Sequence, residues 1–326
     1  GYHRRAGLAH AEIEALKGLD KPGLRGAVLY VTLEPCCHKG RTAACTSAII
    51  SSGVKKVVVG ALDPNPLVSG KGIALLRAAG INVIEGVLAG KAATLNEWFE
   101  KFITTGLPFV RLKLAASLDG GIATSSGESK WITGQAARRY VHRLRAISDA
   151  VLVGSNTAVK DDPCLTVRHV RGRNPARVVL DSSFRTPLTA RIFEDASARV
   201  YILTTAMADK EKVRMARSMG VKVFSLGTKR VNMRRAMKKL AQCGVGSLLI
   251  EGGGVVAASA IKAGLVDRVF YFISPVFLGS EATPAINALS IGNISTAPRL
   301  RDMKVRRLGG DLLVEGALGG RPPRIR

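Results

Sequence analysis

Short runs of β-branched residues alternate with helix-forming segments along most of this chain, and this alternation constrains its fold more than any other feature. Strands separated by helices pair in parallel within one sheet, so the pattern predicts an α/β fold. In the first part of the chain it predicts a βαβαβ unit, with strands at 27–33, 54–61 and 81–84 and helices at Cys45–Ser52 and 70–79.

A second α/β unit opens at Phe109, where FVRLKLAASLDG has the pattern of a strand that enters a Gly turn. Between the two units, the helix-prone stretch from Gly90 to Thr105 is typical of a linker helix. The sequence therefore predicts two domains, residues 1–89 and 107–326, joined by a linker over 90–106. Further strands of the second domain are expected at 149–153, 177–181, 199–204, 222–225, 247–251 and 267–276.

Composition narrows the class of protein. The chain has 326 residues, 47% of them hydrophobic and 22% charged, which is globular and large enough for two cores. We find no apolar run long enough to span a membrane and no signal-peptide pattern at the start. An odd number of cysteines, five, argues against a disulfide framework. We therefore expect a cytoplasmic protein with no membrane partner.

The net charge of +25 favours anionic partners. The excess of Lys and Arg is greatest between Lys210 and Lys239, a stretch with almost no aromatic residues on which bases could stack. A solvated basic helix face is the simpler interpretation of that stretch. We expect no nucleic-acid partner, and nucleic-acid binding stays open as the minor alternative.

Four residues of the first domain have the chemistry of a catalytic zinc site. His10 and Glu12 are followed about two dozen residues later by Cys36, and then by Cys45. One imidazole and two thiolates can hold Zn²⁺ and leave its fourth position to a water, whose pKa the metal lowers. Glu12 suits a proton shuttle that is not a ligand, provided that 10–18 is a helix starting at the metal.

H-x-E followed by P-C-x-x-C is the signature of zinc-dependent nucleobase deaminases. This chain departs from it, because eight residues rather than two separate Cys36 from Cys45. The insert is polar and basic and could reach an anionic substrate. A purely structural zinc site is the alternative, and its fourth ligand would be Cys37 or His38.

The segments GYHRRAGLAHAE, TLEPCCHKGRTAAC and DPNPLVSGKG resemble the deaminase half of the bifunctional riboflavin-biosynthesis deaminase/reductase family. The resemblance implies a cytidine-deaminase-like α/β/α layer fold whose first strand and helix would precede Gly1. It implies zinc on His10, Cys36 and Cys45, with Glu12 as the catalytic proton shuttle. It also implies substrate contacts from four residues: His3, His38, Arg41 and Thr42.

The second domain resembles the dihydrofolate-reductase-like half of the same family. The resemblance is carried by LKLAASLDGGIATSSGESKWITG, ISDAVLVGSNTAVKDDPCLTVR, VVLDSSFRTP, LLIEGGG and AGLVDRVFYFISPVFLGS. Within it, SLLIEGGGVVAASA predicts a strand, a Gly turn and a helix whose N-terminus offers N–H groups to an anion. Its spacing is not that of a Rossmann fingerprint.

That resemblance implies an NADPH site and a second substrate site. Cofactor contacts are implied for Ala115, Trp131, Thr157, Asp161, Ser182, Gly253, Gly254, Val255, Val256, Ala257, Ala258 and Ser259, the last seven as a loop under the phosphates. Substrate contacts are implied for Ser129, Arg145, Leu165, Arg168 and Glu251. Two arginines suit a ribose phosphate, because a guanidinium can bond two of its oxygens at once.

The family's reactions define the expected function. The first is hydrolytic deamination of 2,5-diamino-6-ribosylamino-4(3H)-pyrimidinone 5′-phosphate. The second is hydride transfer from NADPH, which converts the ribosyl side chain to ribityl. We expect this phosphoribosylated pyrimidine as the substrate, and a homo-oligomer. A reductase with a vestigial deaminase domain and a nucleic-acid deaminase are the alternatives.

Overall fold

The computed structural model describes residues 1–4, 7–19, 24, 26–40 and 42–319. The chain divides into two compact units, of which the first is Gly1–Thr105 and the second begins at Gly106. No helix in the described ranges is both long and apolar enough to cross a lipid bilayer.

The first unit is built on a parallel sheet. Among the described residues its strands, in spatial order, are β1 (Val28–Leu33), β2 (Lys56–Ala61) and β3 (Asn82–Ile84). Its helices are α1 (Ala11–Leu16), α2 (Cys45–Ser52), α3 (Lys71–Ala78) and α4 (Ala89–Thr105). The expected βαβαβ order is confirmed, and α2 ends as expected at Gly53, whose φ of 87° is left-handed.

Apolar side chains of β2 and the helices form the core of this unit. Val57 and Val59 are fully buried and share one cluster with Ile49 of α2 and Ile73 of α3. Helix α4, which covers most of the expected linker, packs on the same sheet, because a Cβ built on Gly60 of β2 would lie 2.9 Å from the Cβ of Ala92.

A large sheet organises the second unit. In the described part of the chain it has nine strands in the order β13-β14-β11-β4-β10-β6-β7-β8-β9. In the part of this order that runs from β11 to β9, each strand is parallel to the strand beside it. Strand β14 runs antiparallel to both of its neighbours, β11 and β13. Their bounds are β4 (Phe109–Ala116), β6 (Ala150–Gly154), β7 (Ala176–Leu180), β8 (Val200–Thr204), β9 (Lys222–Ser225), β10 (Ser247–Ile250), β11 (Arg268–Ile273), β13 (Leu300–Leu308) and β14 (Asp311–Leu318).

Both faces of the central part of this sheet are buried. On β6, Ala150 and Leu152 belong to one core cluster, whereas Val151 and Val153 belong to another. Successive side chains of a strand point to opposite faces, so the two clusters lie on opposite sides of the sheet. The helices are α5 (Gln135–Ala146), α6 (Ser155–Lys160), α7 (Lys210–Ser218), α8 (Met233–Gln242) and α9 (Gly254–Lys262).

The hairpin of β13 and β14 was not expected from the sequence. Leu308 pairs with Asp311, which leaves Gly309 and Gly310 as a two-residue turn, and Gly309 has a φ of 67°. A shorter antiparallel pair joins β5 (Gly121–Ala123) to β12 (Thr283–Pro284).

Candidate active sites

The expected zinc ligands meet at the N-terminal ends of two helices. His10 precedes the first residue of α1, and Cys45 is the first residue of α2. Nδ1 of His10 lies 3.6 Å from Sγ of Cys36 and 3.2 Å from Sγ of Cys45. Tetrahedral zinc, with Zn–S of about 2.3 Å and Zn–N of about 2.0 Å, would hold an N and an S ligand about 3.5 Å apart. This donor set therefore fits zinc.

The thiol of Cys36 is prepared for the thiolate form. The backbone N–H of Cys45 donates to Sγ of Cys36 over 3.3 Å. Hydrogen bonding from Cys45 and the proximity of His10 hold the pKa of Cys36 well below its usual range despite the opposing effect of burial, whereas the same hydrogen bond and burial raise the pKa of Cys45. A metal ion would therefore meet a thiolate at neutral pH.

Glu12 is the second residue of α1, and its side chain is directed inward. It is 9% exposed, and burial raises the pKa of its carboxyl, partly offset by hydrogen bonds with its own backbone N–H and with Cys45. The metal-ligating group is made of His10, Cys36 and Cys45 without it. The helix expected over 10–18 is shorter, spanning Ala11–Leu16, but it begins directly after His10 and carries Glu12 in its first turn.

A cavity of about 240 Å³ opens beside these ligands. Thr42 Oγ1 lies 3.4 Å from Nε2 of His10, and the ring of His3 meets the His10 ring edge-on, with centroids 5.1 Å apart. Arg41 lies outside the described residues. The other three expected substrate contacts, His3, His38 and Thr42, line this cavity together with the metal ligands His10 and Cys36. The full lining is His3, Gly7, His10, Cys36, His38, Gly40 and Thr42.

The described residues supply no fourth protein ligand. Cys37 donates instead to the carbonyl of Leu67 over 3.7 Å, and neither Cys37 nor His38 belongs to the group whose ligand atoms lie within 4.8 Å of one another. The arrangement therefore favours an open site over a closed structural one.

Sequence reasoning missed Glu34, which is 2% exposed and lies two residues before Cys36. Its carboxylate accepts hydrogen bonds from the backbone N–H groups of Asp63, Gly70 and Ile73 over 3.2, 2.9 and 3.2 Å. It thereby joins the end of β1 to the start of α3. The only available signal was a carboxylate directly after an apolar strand.

In the second unit, Arg145 of α5 forms a buried ion pair with Glu251, which follows β10. Nε and Nη2 of Arg145 lie 2.5 and 2.7 Å from the two carboxylate oxygens, and the side chains are 12% and 6% exposed. Nη1 of Arg145 donates to the carbonyl of Thr166 over 3.0 Å. The two expected substrate residues are thus bonded to each other.

The remaining expected substrate residues differ in exposure. Arg168 is exposed, and its guanidinium has no hydrogen bond or ion pair with any described residue, whereas Leu165 is 2% exposed and has a φ of 53°. Ser129 is half-buried. Of these side chains, that of Arg168 is the cation left free for an anion.

The glycine run after β10 allows a close approach of backbone segments. Gly253 has a φ of 71°, and a Cβ on Gly254 would lie 2.6 Å from the carbonyl oxygen of Pro284. A Cβ on Gly252 would lie 3.1 Å from Oγ1 of Thr157. These glycines therefore let the backbone at Pro284 and the side chain of Thr157 pack closely against the start of α9.

The predicted strand, Gly turn and helix are confirmed, because β10 ends at Ile250 and α9 begins at Gly254. The loop that the resemblance implied over 253–259 is therefore helical from Gly254 onward. Val256, Ala257 and Ala258 are consecutive and therefore point to different sides of α9, and all three are buried. The hydroxyl of Ser259 donates to the carbonyl of Val255. Only the first residues of this segment lie at the N-terminal end of α9.

The other expected cofactor residues lie on several elements. Trp131 is 69% exposed, with the guanidinium of Arg138 located 4.5 Å from the ring centroid. The Nζ atom of Lys130 donates to the carbonyl of Asp161 over 3.3 Å. Ala115 lies on β4 and Thr157 on α6. Ser182 lies two residues after the end of β7, and its carbonyl accepts hydrogen bonds from the hydroxyls of Thr204 and Thr205.

Lys113 was also missed, although a lysine in the middle of the apolar strand β4 is a recognisable signal. Burial lowers the pKa of its ammonium group, while the charge of Glu251 acts in the opposite direction and that of Arg145 adds to the lowering. The ion pair of Arg145 and Glu251 therefore has a second cation within electrostatic reach.

Both units match described protein families. Residues 1–61 match the cytidine and deoxycytidylate deaminase zinc-binding region, and residues 108–314 match the RibD C-terminal domain. The chain is 44% identical over 315 residues to the riboflavin biosynthesis protein RibD of Aquifex aeolicus, which covers 96% of this chain and 86% of that protein.

Solved structures show the same architecture. RibD of Acinetobacter baumannii superposes with a TM-score of 0.87 at 38% identity, covering 98% of this chain and 88% of that chain. A diaminohydroxyphosphoribosylaminopyrimidine deaminase/5-amino-6-(5-phosphoribosylamino)uracil reductase of Thermotoga maritima has a TM-score of 0.84 at 38% identity and the same coverage. The Saccharomyces cerevisiae riboflavin biosynthesis reductase Rib7, at 21% identity and a TM-score of 0.53, covers 69% of this chain and 99% of that chain, which shows a shared fold.

Proposed function

Because this chain belongs to the RibD family of riboflavin-biosynthesis deaminase/reductases, we propose that His10, Cys36 and Cys45 hold its zinc ion and that Glu12 is its proton shuttle. The chain is a bifunctional enzyme. It deaminates the phosphoribosylated diaminopyrimidine and then reduces the ribosyl side chain of the product.

The open three-ligand cluster beside a cavity is the observation that carries the proposal. When bound, zinc supplies the Lewis acidity that makes water a nucleophile near neutral pH. The carboxylate of Glu12 then accepts a proton from the attacking water and delivers it to the departing amino group. The raised pKa of the Glu12 carboxyl suits both accepting the proton and releasing it. His3, His38 and Thr42 bind the substrate in the cavity.

For the reductase we propose NADPH, whose nicotinamide supplies the hydride when bound. The start of α9 would hold its phosphates through backbone N–H groups, and Trp131 offers an exposed aromatic face. The second unit carries a large excess of Lys and Arg, which favours NADPH, with its additional phosphate, over NADH. The free guanidinium of Arg168 would bind the substrate phosphate.

All five cysteines are free thiols. A site with two thiolate ligands requires reduced cysteines, and reduced thiols persist in the cytoplasm. We therefore propose a cytoplasmic location.

The experiment is zinc analysis combined with Glu12→Gln. Protein purified without chelators should hold about one zinc per chain. Glu12→Gln should keep that zinc, lose about a hundredfold or more of the deaminase rate, and still reduce the deaminated intermediate. Glu14→Gln on the same helix is the matched control and should retain both activities. Zinc-free wild-type protein, or loss of zinc from the Glu12 variant, would contradict these assignments.

A further inference from the structure

Helix α5 holds the segment that carries Arg168 at two points. His142 and Arg145 are three residues apart and therefore share one face of α5. Nη1 of Arg145 donates to the carbonyl of Thr166 over 3.0 Å. The backbone N–H of Arg168 donates to Nδ1 of His142 over 3.1 Å. The two contacts flank Val167 and fix the backbone on either side of it.

The two arginines of this site have different tasks. Arg145 uses three of its donor atoms on Glu251 and Thr166, and its side chain is 12% exposed. The guanidinium of Arg168 is exposed and unbonded within the described residues. Where that free guanidinium points depends on the backbone of Arg168, and thus on the contact with His142.

The environment of His142 keeps Nδ1 available as an acceptor. An Nδ1 that accepts requires a neutral ring with its proton on Nε2. Burial lowers the pKa of His142 to about 4, and the charges of Arg145, His169 and Arg168 add to this effect, against the opposing charge of Glu251. The His169 ring packs edge-on against His142 with centroids 4.5 Å apart. The hydrogen bond therefore persists throughout the neutral pH range.

We propose that His142 is a positioning residue for the reductase: its Nδ1 fixes the backbone of Arg168 so that the guanidinium meets the phosphate of the reductase substrate. The inference rests on the phosphate-binding role proposed above for Arg168. His142 acts through Arg168 and not on the reacting atoms.

The test is steady-state kinetics of the full chain with 5-amino-6-(5-phosphoribosylamino)uracil and NADPH. His142→Leu removes the acceptor, so the KM for the pyrimidine should rise about tenfold, while kcat and the KM for NADPH stay within about twofold. His142→Asn should restore most of the affinity, because its Oδ1 can occupy the position of Nδ1. Should the Leu variant fail to fold, His142→Gln replaces it, since its amide oxygen lies one bond farther out.

Two further variants separate positioning from mere stability. Arg143→Gln, at an exposed position next to His142 on α5, should leave all three constants unchanged. In an Arg168→Ala background, His142→Leu should not raise the KM for the pyrimidine any further, because His142 acts only through Arg168. If the increase persists there, or if Asn is as harmful as Leu, the inference is overturned. If Arg168→Ala raises the KM for the pyrimidine and His142→Leu does not, only the inference falls. An unchanged KM in Arg168→Ala overturns the assignment of Arg168 as well.

Discussion

The Glu251 carboxylate is held in a charged state by its neighbours. Burial alone would raise its pKa, but the ion pair with Arg145 and the nearby charge of Lys113 hold the pKa below its usual range. A carboxylate with a depressed pKa in the folded protein contributes stability above its unfolded pKa of about 4.3. That contribution is lost as the pH falls through the lower, folded value.

Glu251→Gln should therefore destabilise the second unit in a pH-dependent way. At neutral pH it leaves Arg145 buried without a countercharge, which should cost about 3–5 kcal/mol. The difference between variant and wild type should shrink as the pH is lowered below about 4. Thermal unfolding over a pH series measures this difference.

Glu211→Gln is the control for that experiment. Its i,i+3 partner Arg214 is 80% exposed and Glu211 itself 58%, so we expect little change at any pH. A pH-independent difference for Glu251→Gln would show that lost packing, and not lost charge, causes the destabilisation.

At the scale of elements, the junction of β1 and α3 supports the zinc site. Glu34 binds three backbone N–H groups at the start of α3 and in the loop before it. Gly72 on α3 lies so close to this junction that a Cβ would be 2.2 Å from the carbonyl oxygen of Pro35. Since Pro35 precedes Cys36, the helix and the metal ligand cannot move independently.

Gly72→Ala should therefore lower both thermal stability and zinc affinity. Alanine is favoured over glycine in a helix by about 1 kcal/mol, but here the overlap with Pro35 outweighs that gain. Melting temperature and competition with a zinc chelator measure the two effects.

Gly90→Ala is the same substitution in α4, with nothing within 4 Å of the new Cβ, and it should raise the melting temperature slightly. If Gly72→Ala melted like wild type and kept its zinc, the proposed link between α3 and the ligand would be wrong.

At the scale of the whole molecule, the sequence predicted the strands that are continuous apolar runs and missed the C-terminal hairpin of β13 and β14. Strands such as β2 and β6 are continuous apolar runs with a strong local signal. Strand β13 is mostly exposed and carries charged residues at positions of both parities, such as Arg301, Lys304 and Arg307, so it shows no alternation. Its pairing with β14 becomes visible only in the folded sheet.

The site residues also divide into those with a local sequence signal and those without one. His10, Cys36 and Cys45 were predicted because their types and spacing are themselves a signature. Lys113, Glu34 and His142 were missed because what defines them is a partner elsewhere in the chain, such as Glu251 for Lys113. A charged residue in an apolar strand or helix face indicates that such a partner exists, without identifying it.

Each unit has a hydrophobic core of its own, and this leads to a prediction for the fragment 107–326. The likeness to Rib7, which covers 69% of this chain and 99% of that chain, shows that about this share of the chain has a fold that occurs as a separate protein. We therefore expect the fragment to fold and to reduce the deaminated pyrimidine with NADPH.

The same fragment should leave the aminated precursor unchanged, because it lacks His10, Glu12, Cys36 and Cys45. NADPH oxidation with each pyrimidine, compared with the full chain, measures this difference. The full chain should consume NADPH with either compound, since deamination supplies the substrate for reduction. An insoluble or inactive fragment would place the domain boundary elsewhere than at 90–106. NADPH oxidation by the fragment with the aminated precursor would show that reduction does not require prior deamination.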